Sequence, residues 1–302
     1  MGSGKRMAPS AAESISGKRI TPGTTESISE KAPMTTEDSA NSKVGTEGIR
    51  LENVTFGYAS QPLFRDFSLK LSSGKITSII GPNGCGKSTL LKLISGACKP
   101  SKGTVRVCGH DIAKLGSKER ARVMSLMVQE HTAPPVNVRQ LVEFGRYPHH
   151  GAFSKLGQED HDAVERALEA TRLSPLAGAN VNELSGGQRQ RAFIAMALAQ
   201  DTQVVLLDEP TSFLDISANY DVMELMRSLK SEHGKTVVAV IHDINLALKY
   251  SDEVCVLRDG ELLAQGAPQE PQVLKGIELA FNVRVELMHS ELGSIYALFK
   301  AR

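Results

Sequence analysis

From Ile49 the chain alternates apolar and polar positions, so IRLENVTFGY predicts a half-buried strand. FSLKLSSGKITSII predicts two more strands around a Ser-Gly turn. Three segments break the alternation and are nearly all apolar at strand length: ITSII (Ile76–Ile80), VVLL (Val204–Leu207) and VVAVI (Val237–Ile241). Such runs suit strands covered on both faces, as in a parallel sheet between helices. Between the first and second runs the period becomes helical, and Glu159–Leu173 places Val164, Leu168 and Leu173 on one apolar stripe. The expected architecture is an α/β core with an antiparallel β start and a helical insertion.

Residues 1–46 carry no such pattern. They are rich in Ser, Thr, Gly, Ala and Pro and too poor in large apolar residues to offset the entropy of ordering, which predicts disorder. Within them GKRMAPSAAESIS (Gly4–Ser16) is echoed by GKRITPGTTESIS (Gly17–Ser29), a duplication read as drift in a low-complexity segment. Lys+Arg 35 against Asp+Glu 34 leaves the chain near neutral, which speaks against a nucleic-acid partner. No stretch approaches the ~18 continuous apolar residues of a membrane span, and the N-terminus lacks the apolar core of a secretory signal. Cys85, Cys98, Cys108 and Cys255 are scattered without metal or disulfide spacing. A reducing, cytosolic setting is expected.

The chemistry concentrates at three places. Gly81-Pro82-Asn83-Gly84-Cys85-Gly86-Lys87-Ser88-Thr89 fits GxxxxGK[ST] between a predicted strand and a predicted helix. Its glycines let successive N–H groups face one anion, and the helix adds its positive end. Lys87 is expected to reach the β- and γ-phosphates, and the Ser88 hydroxyl to ligate Mg²⁺. Cys85 is read as a small loop filler. Downstream, VVLLDEP ends a buried strand in Asp208 and Glu209. Carboxylates there are costly to bury unless they meet a cation, so Asp208 is expected to support the metal through water. Glu209 is left to act as general base on the attacking water. The third place is LSGGQRQR, where Ser185, Gly186, Gly187 and Gln188 open a helix with a hydroxyl and free N–H groups, a second anion site.

With LSGGQ the chain resembles the ATP-binding cassette (ABC) family over roughly residues 47–270. The resemblance implies a cassette with a RecA-like α/β core, an antiparallel β subdomain and an α-helical subdomain at about 130–185, followed by a short C-terminal extension at 271–302. It also implies ATP and Mg²⁺ as ligands and a head-to-tail dimer with a second copy, in which LSGGQ caps the γ-phosphate held by the partner. Residue by residue, Tyr58 in TFGY matches the aromatic that stacks on adenine. Gln129 in SLMVQE matches the Q-loop glutamine at the metal. Asp215 in SFLD matches the D-loop, where Phe213 departs from the usual alanine without evident chemical consequence, and His242 matches the switch histidine on the γ-phosphate.

One cassette, no fused membrane helices and no long coiled-coil insertion favour the ATPase subunit of an importer. Its implied setting is the cytoplasmic side of the inner membrane, on polytopic permease subunits and indirectly a substrate-binding protein. NVRQLVEFGRYPHHG (Asn137–Gly151) resembles the GRxPH segment of ferric-siderophore, haem and vitamin B12 uptake ATPases. His149 and His150 there are read as packing or surface residues, not metal ligands. The alternative is a soluble, non-transport ABC ATPase acting on a macromolecule.

Overall fold

The computed structural model describes residues 48–58, 61–129, 134–150, 155–289 and 295–301, so the expected disorder and repeat within residues 1–46 lie outside the described residues. Strands β1 (Ile49–Phe56) and β2 (Phe64–Leu71) pair antiparallel as the alternation predicts, with Ile49, Leu51, Val54, Leu69 and Leu71 buried. β3 (Ile76–Ile80) leads through the glycine-rich loop into helix α1 (Lys87–Ile94). β4 (Lys102–Val107) and β5 (His110–Asp111) complete the first sheet in the order β2-β1-β4-β5.

Helix α2 (Ser117–Val123) feeds β6 (Met124–Met127). The helical region follows with α3 (Val138–Glu143), α4 (Gln158–Ala170) and α5 (Gly186–Ala199). The chain then alternates through β7 (Val204–Asp208), α6 (Ile216–Ser231), β8 (Thr236–Val240), α7 (Ile244–Tyr250), β9 (Glu253–Arg258) and β10 (Glu261–Gly266). Helix α8 (Pro271–Phe281) and a hairpin of β11 (Val283–His289) and β12 (Ile295–Ala301) end it.

The central sheet has the order β10-β9-β3-β8-β7-β6, and every pair except β10 with β9 is parallel. Its apolar strands serve two cores at once. Val205 and Leu207 of β7, with Val237 and Ala239 of β8, face the layer of α5, α6, α7 and α8. Val204, Leu206, Val238 and Val240 face the first sheet and α1. This is why these strands read as unbroken apolar runs instead of alternating ones.

Two predicted bounds shift for identifiable reasons. β8 begins at Thr236, one residue before the apolar run, because Thr236 is in register with Val204 of β7 and its N–H donates to the Gln203 carbonyl at 3.0 Å. Its buried hydroxyl accepts the Gly74 N–H. The predicted helix 159–173 stops at Ala170, where the Thr171 hydroxyl donates to the Ala167 carbonyl and Arg172 turns to φ 56. Val164, Leu168 and Leu173 are nonetheless all fully buried. Beyond residue 270, Val273, Ile277 and Ala280 enter the same core as the sheet, so α8 packs as part of the cassette body.

Candidate active site

Neighbouring parallel strands deliver the site. β6, β7, β8 and β3 lie side by side, and a parallel sheet presents its carboxyl ends on one edge. From those ends come Gln129 after β6, Asp208 and Glu209 at β7, His242 after β8 and the glycine-rich loop after β3. Tyr58 joins from the first sheet, and the result is a cleft of about 790 Å³.

The loop is shaped to expose its backbone. Gly84 (φ 79) and Gly86 (φ 110) hold conformations that disfavour a side chain, and a Cβ at Gly86 would meet the Phe64 ring at 2.8 Å. Asn83 and Gly84 are open to solvent, Pro82 is half-buried and Cys85 is buried, where desolvation raises its thiol pKa, as a loop filler requires. The buried Lys87 ammonium donates to the carbonyls of Gly81 and Pro82, both at 2.9 Å, so the cation lies across the loop it belongs to. Thr89 is buried one turn into α1, with its hydroxyl 3.4 Å from the Tyr58 hydroxyl. Tyr58 itself is 67% exposed and braced edge-on by Phe56 at 5.1 Å, which excludes a core tyrosine and leaves its ring free to cover a planar base.

The acidic residues occupy two environments. Asp208 is 4% exposed, and its carboxylate accepts the Ser88 hydroxyl at 2.9 Å. Burial raises its pKa, outweighing the Ser88 hydrogen bond, and the Glu209 charge adds to the rise. A desolvated carboxylate beside a hydroxyl offers the hard oxygen ligands that Mg²⁺ takes, so these residues fit that ion. Glu209 lies on the cleft side with φ 53, a left-handed backbone that a side-chain-bearing residue adopts only at some energetic cost. Its turn is closed by the Ser212 N–H on the Glu209 carbonyl at 3.1 Å. Its carboxylate accepts Gln129 Nε2 at 2.6 Å and Ser212 Oγ at 2.8 Å on one oxygen, and the other lies 2.5 Å from His242 Nε2. Asp243 fixes that histidine at the strand–helix junction by capping α7, accepting from the Asn245 and Leu246 N–H groups.

The remaining residues singled out in the sequence lie elsewhere. Ser185 caps α5: its hydroxyl accepts the Gln188 N–H at 3.3 Å, and its own N–H donates to Gln188 Oε1 at 3.1 Å. This capping box leaves Ser185 and Gly186 exposed at the start of α5. Gly187 is needed for close packing, since a Cβ there would stand 2.9 Å from Ala218 Cβ. Asp215 caps α6 through the Ala218 N–H at 2.8 Å. None of Ser185, Gly186, Gly187, Gln188 and Asp215 lines the cleft. Phe213, between them, has φ 62 and is 98% exposed, and Ile216 is 78% exposed.

Neither Ser212 nor a second polar cluster is expected from the sequence. Arg146 donates through Nε to Asp160 at 2.9 Å and through Nη1 to the Ala199 carbonyl at 2.6 Å. The Gly157 N–H donates to Asp160, and His150 Nε2 lies 2.8 Å from the same carboxylate. His149 meets the Gln200 carbonyl at 2.8 Å. The GRYPHH segment therefore ties α4 to the end of α5. Only the signal "Arg and His in a motif" was available to find it.

The ABC transporter family model matches residues 64–212. The ferric enterobactin transport ATP-binding protein FepC of Escherichia coli is 45% identical over 237 residues, covering 78% of this chain and 88% of that one. The probable siderophore transport system ATP-binding protein YusV of Bacillus subtilis is 39% identical over 250 residues, covering 82% and 91%. Among solved structures, a metal-chelate type ABC transporter in an inward-facing conformation aligns with TM-score 0.73 and 28% identity over 84% of this chain and 96% of that one. A dimeric ATP-binding cassette holding ADP and Pi after hydrolysis aligns with TM-score 0.65 and 32% identity, covering 74% and 99%. The chain belongs to the ABC transporter family as one of its ATP-binding subunits, and its enzyme activity is the hydrolysis of ATP.

Proposed function

We propose that the chain powers the uptake of an iron chelate, as the ATPase subunit of an importer whose membrane-spanning subunits are separate polypeptides and whose cargo arrives on a substrate-binding protein. No helix among the described residues is long and apolar enough to cross a membrane, which fits a subunit that works peripherally, on the cytoplasmic face. The relatives named for siderophore and enterobactin transport support the cargo class. They leave the alternative, an ATPase acting on a macromolecule, without support.

The observation that carries the dimeric part is that the signature turn and the cleft sit apart. Lys87, Ser88, Glu209 and His242 share one cleft, while Ser185 and Gly186 are exposed outside it. A second copy, docked head-to-tail, would bring its signature to the first copy's γ-phosphate. Phe213 and Ile216 extend that outward face with two apolar side chains, which a second copy would cover.

Within one half-site, Lys87 and the loop N–H groups bind the phosphates and Tyr58 covers the adenine. Ser88 and Asp208, with Gln129, would hold Mg²⁺, which supplies charge neutralisation on the β- and γ-phosphates. Glu209 takes a proton from the attacking water, and His242 donates to the γ-phosphate. With that phosphate gone the two copies separate, and the opening is what the membrane subunits use.

The test is reconstitution with the permease in liposomes. Uptake of a ferric siderophore that requires ATP is expected, and ATP turnover indifferent to permease, binding protein and chelate would overturn the transport role. In the Glu209→Gln background with ATP, Phe213→Ser should weaken self-association about tenfold, the scale of losing one buried aromatic contact. Undiminished dimer in sedimentation velocity would remove Phe213 from the contact.

A further inference from the structure

Glu209 is held by three side chains, and they differ in where they come from. Gln129 follows β6 and His242 follows β8, whereas Ser212 belongs to the same turn as Glu209 itself. The Ser212 N–H closes that turn at 3.1 Å, so the backbone fixes its hydroxyl relative to the carboxylate it meets at 2.8 Å. Gln129 and His242 have second duties in the mechanism above, toward the metal and the γ-phosphate. Gln129 would meet a metal through Oε1 while its Nε2 holds Glu209, and His242 would turn Nε2 from Glu209 to the γ-phosphate. Both side chains therefore answer to the nucleotide as well as to the carboxylate, and Ser212 does not.

We infer that Ser212 is the positioning residue of the general base, a role that rests on the assignment of Glu209 above. The Ser212 hydroxyl keeps its hydrogen bond to Oε2 when Gln129 and His242 turn to the nucleotide, and so it fixes the rotamer of Glu209. That leaves Oε1, the oxygen now beside His242, to accept the proton of the attacking water. The hydroxide equivalent so formed attacks the γ-phosphorus, the bond to the β–γ bridging oxygen breaks, and ADP leaves with that electron pair. Without the hydroxyl, the Glu209 side chain has more rotamers to sample in a backbone conformation (φ 53) that already carries strain.

The test measures Mg-dependent ATP turnover of the full chain with Ser212→Ala and Ser212→Thr, each also in the Glu209→Gln background. Ser212→Ala is expected to lower kcat about tenfold, the scale of one hydrogen bond to a charged group, with KM for ATP within about twofold of wild type. Ser212→Thr, which keeps the hydroxyl, is expected to restore kcat. In the Glu209→Gln background Ser212→Ala should change the residual turnover by less than about twofold, because its effect runs through the carboxylate. An unchanged kcat in Ser212→Ala, no recovery with threonine, or a full tenfold loss persisting without the carboxylate would each overturn the role of Ser212 while leaving Glu209 as the base. Wild-type turnover in Glu209→Gln alone would overturn the assignment of the base, and this inference with it.

Discussion

Glu209 and Asp160 are both carboxylates with a histidine nitrogen within 2.8 Å and further donors on the same group. Asp160 is 4% exposed, and its partners include a buried guanidinium and the N–H at the start of its own helix. Arg146, locked in turn to the Ala199 carbonyl, gains nothing by moving. Glu209 borders an open cleft, and its partners are an amide, a hydroxyl and an exposed imidazole, none of them a permanent cation. The first arrangement satisfies a charge pair for good and joins two helices. The second leaves a carboxylate with one local hydroxyl and two donors that an incoming nucleotide can draw away. Enclosure and the type of partner, not the presence of a histidine, separate the structural Asp160 from Glu209, the acid proposed above for the chemistry.

The sharpest way to break this contrast is to neutralise each acid in turn. Glu209→Gln should lower ATP turnover by ~100-fold or more, the usual weight of a general base, measured as phosphate release. Its thermal midpoint should stay within about 2 °C of wild type, because among the described residues no buried cation pairs with that carboxylate. Turnover within tenfold of wild type would dissolve the distinction from the catalytic side.

Asp160→Asn should do the reverse. It strands the buried Arg146 guanidinium, a change that typically destabilises by about 3–5 kcal/mol. At roughly 2–4 °C per kcal/mol in a domain of this size, the melting temperature should fall by about 6–20 °C. The pH dependence gives a second measure. Burial alone would raise the Asp160 pKa, but the neighbouring His150, the Gly157 N–H and Arg146 outweigh it and hold the carboxyl well below the ordinary range. A depressed folded pKa contributes stability above the unfolded value, lost as pH falls below it, so the gap between wild type and Asp160→Asn should narrow from pH 6 toward pH 3. A gap independent of pH would show that the charge is not what Asp160 contributes.

The two clusters also differ in how far the sequence foretold them. Phosphate chemistry demands fixed residue types at short local spacing, so the loop from Gly81 to Thr89 and the pair Asp208-Glu209 could be read directly. The buried strands were legible because both of their faces are apolar. The Arg146–Asp160 pair spans 14 residues and two helical elements, and a charged residue in a helix is ordinarily read as solvated. Ser212 was illegible for a different reason: its hydrogen bond depends on the left-handed turn at Glu209, a conformation nothing in LDEPTS announces. Phe213 was visible as a departure from the family pattern, but its meaning needed its exposure. Short strands such as β5 and β6 carry too little pattern to be seen at all.

Asp208 refines the comparison, since it is as enclosed as Asp160 yet its hydroxyl partner, Ser88, lines the cleft. It has a hydroxyl for a partner and, among the described residues, no ion pair, and burial raises its pKa. The sign of its stability effect is therefore opposite. A carboxyl that binds its proton more tightly in the folded chain than in the unfolded one loses stability as pH rises from the unfolded value through the folded one. Asp208→Asn removes that charge and keeps an acceptor for the Ser88 hydroxyl. The nucleotide-free variant should melt at or above wild type at pH 7, by about 2 °C, and the difference should vanish near pH 3. Its ATP hydrolysis should nevertheless be lost, because the anionic carboxylate that would support Mg²⁺ beside Ser88 is gone. A drop in melting temperature as large as that of Asp160→Asn would mean that enclosure alone decides what a buried carboxylate is for. A rise would mean that the cleft keeps a destabilising charge because a cation is its intended partner.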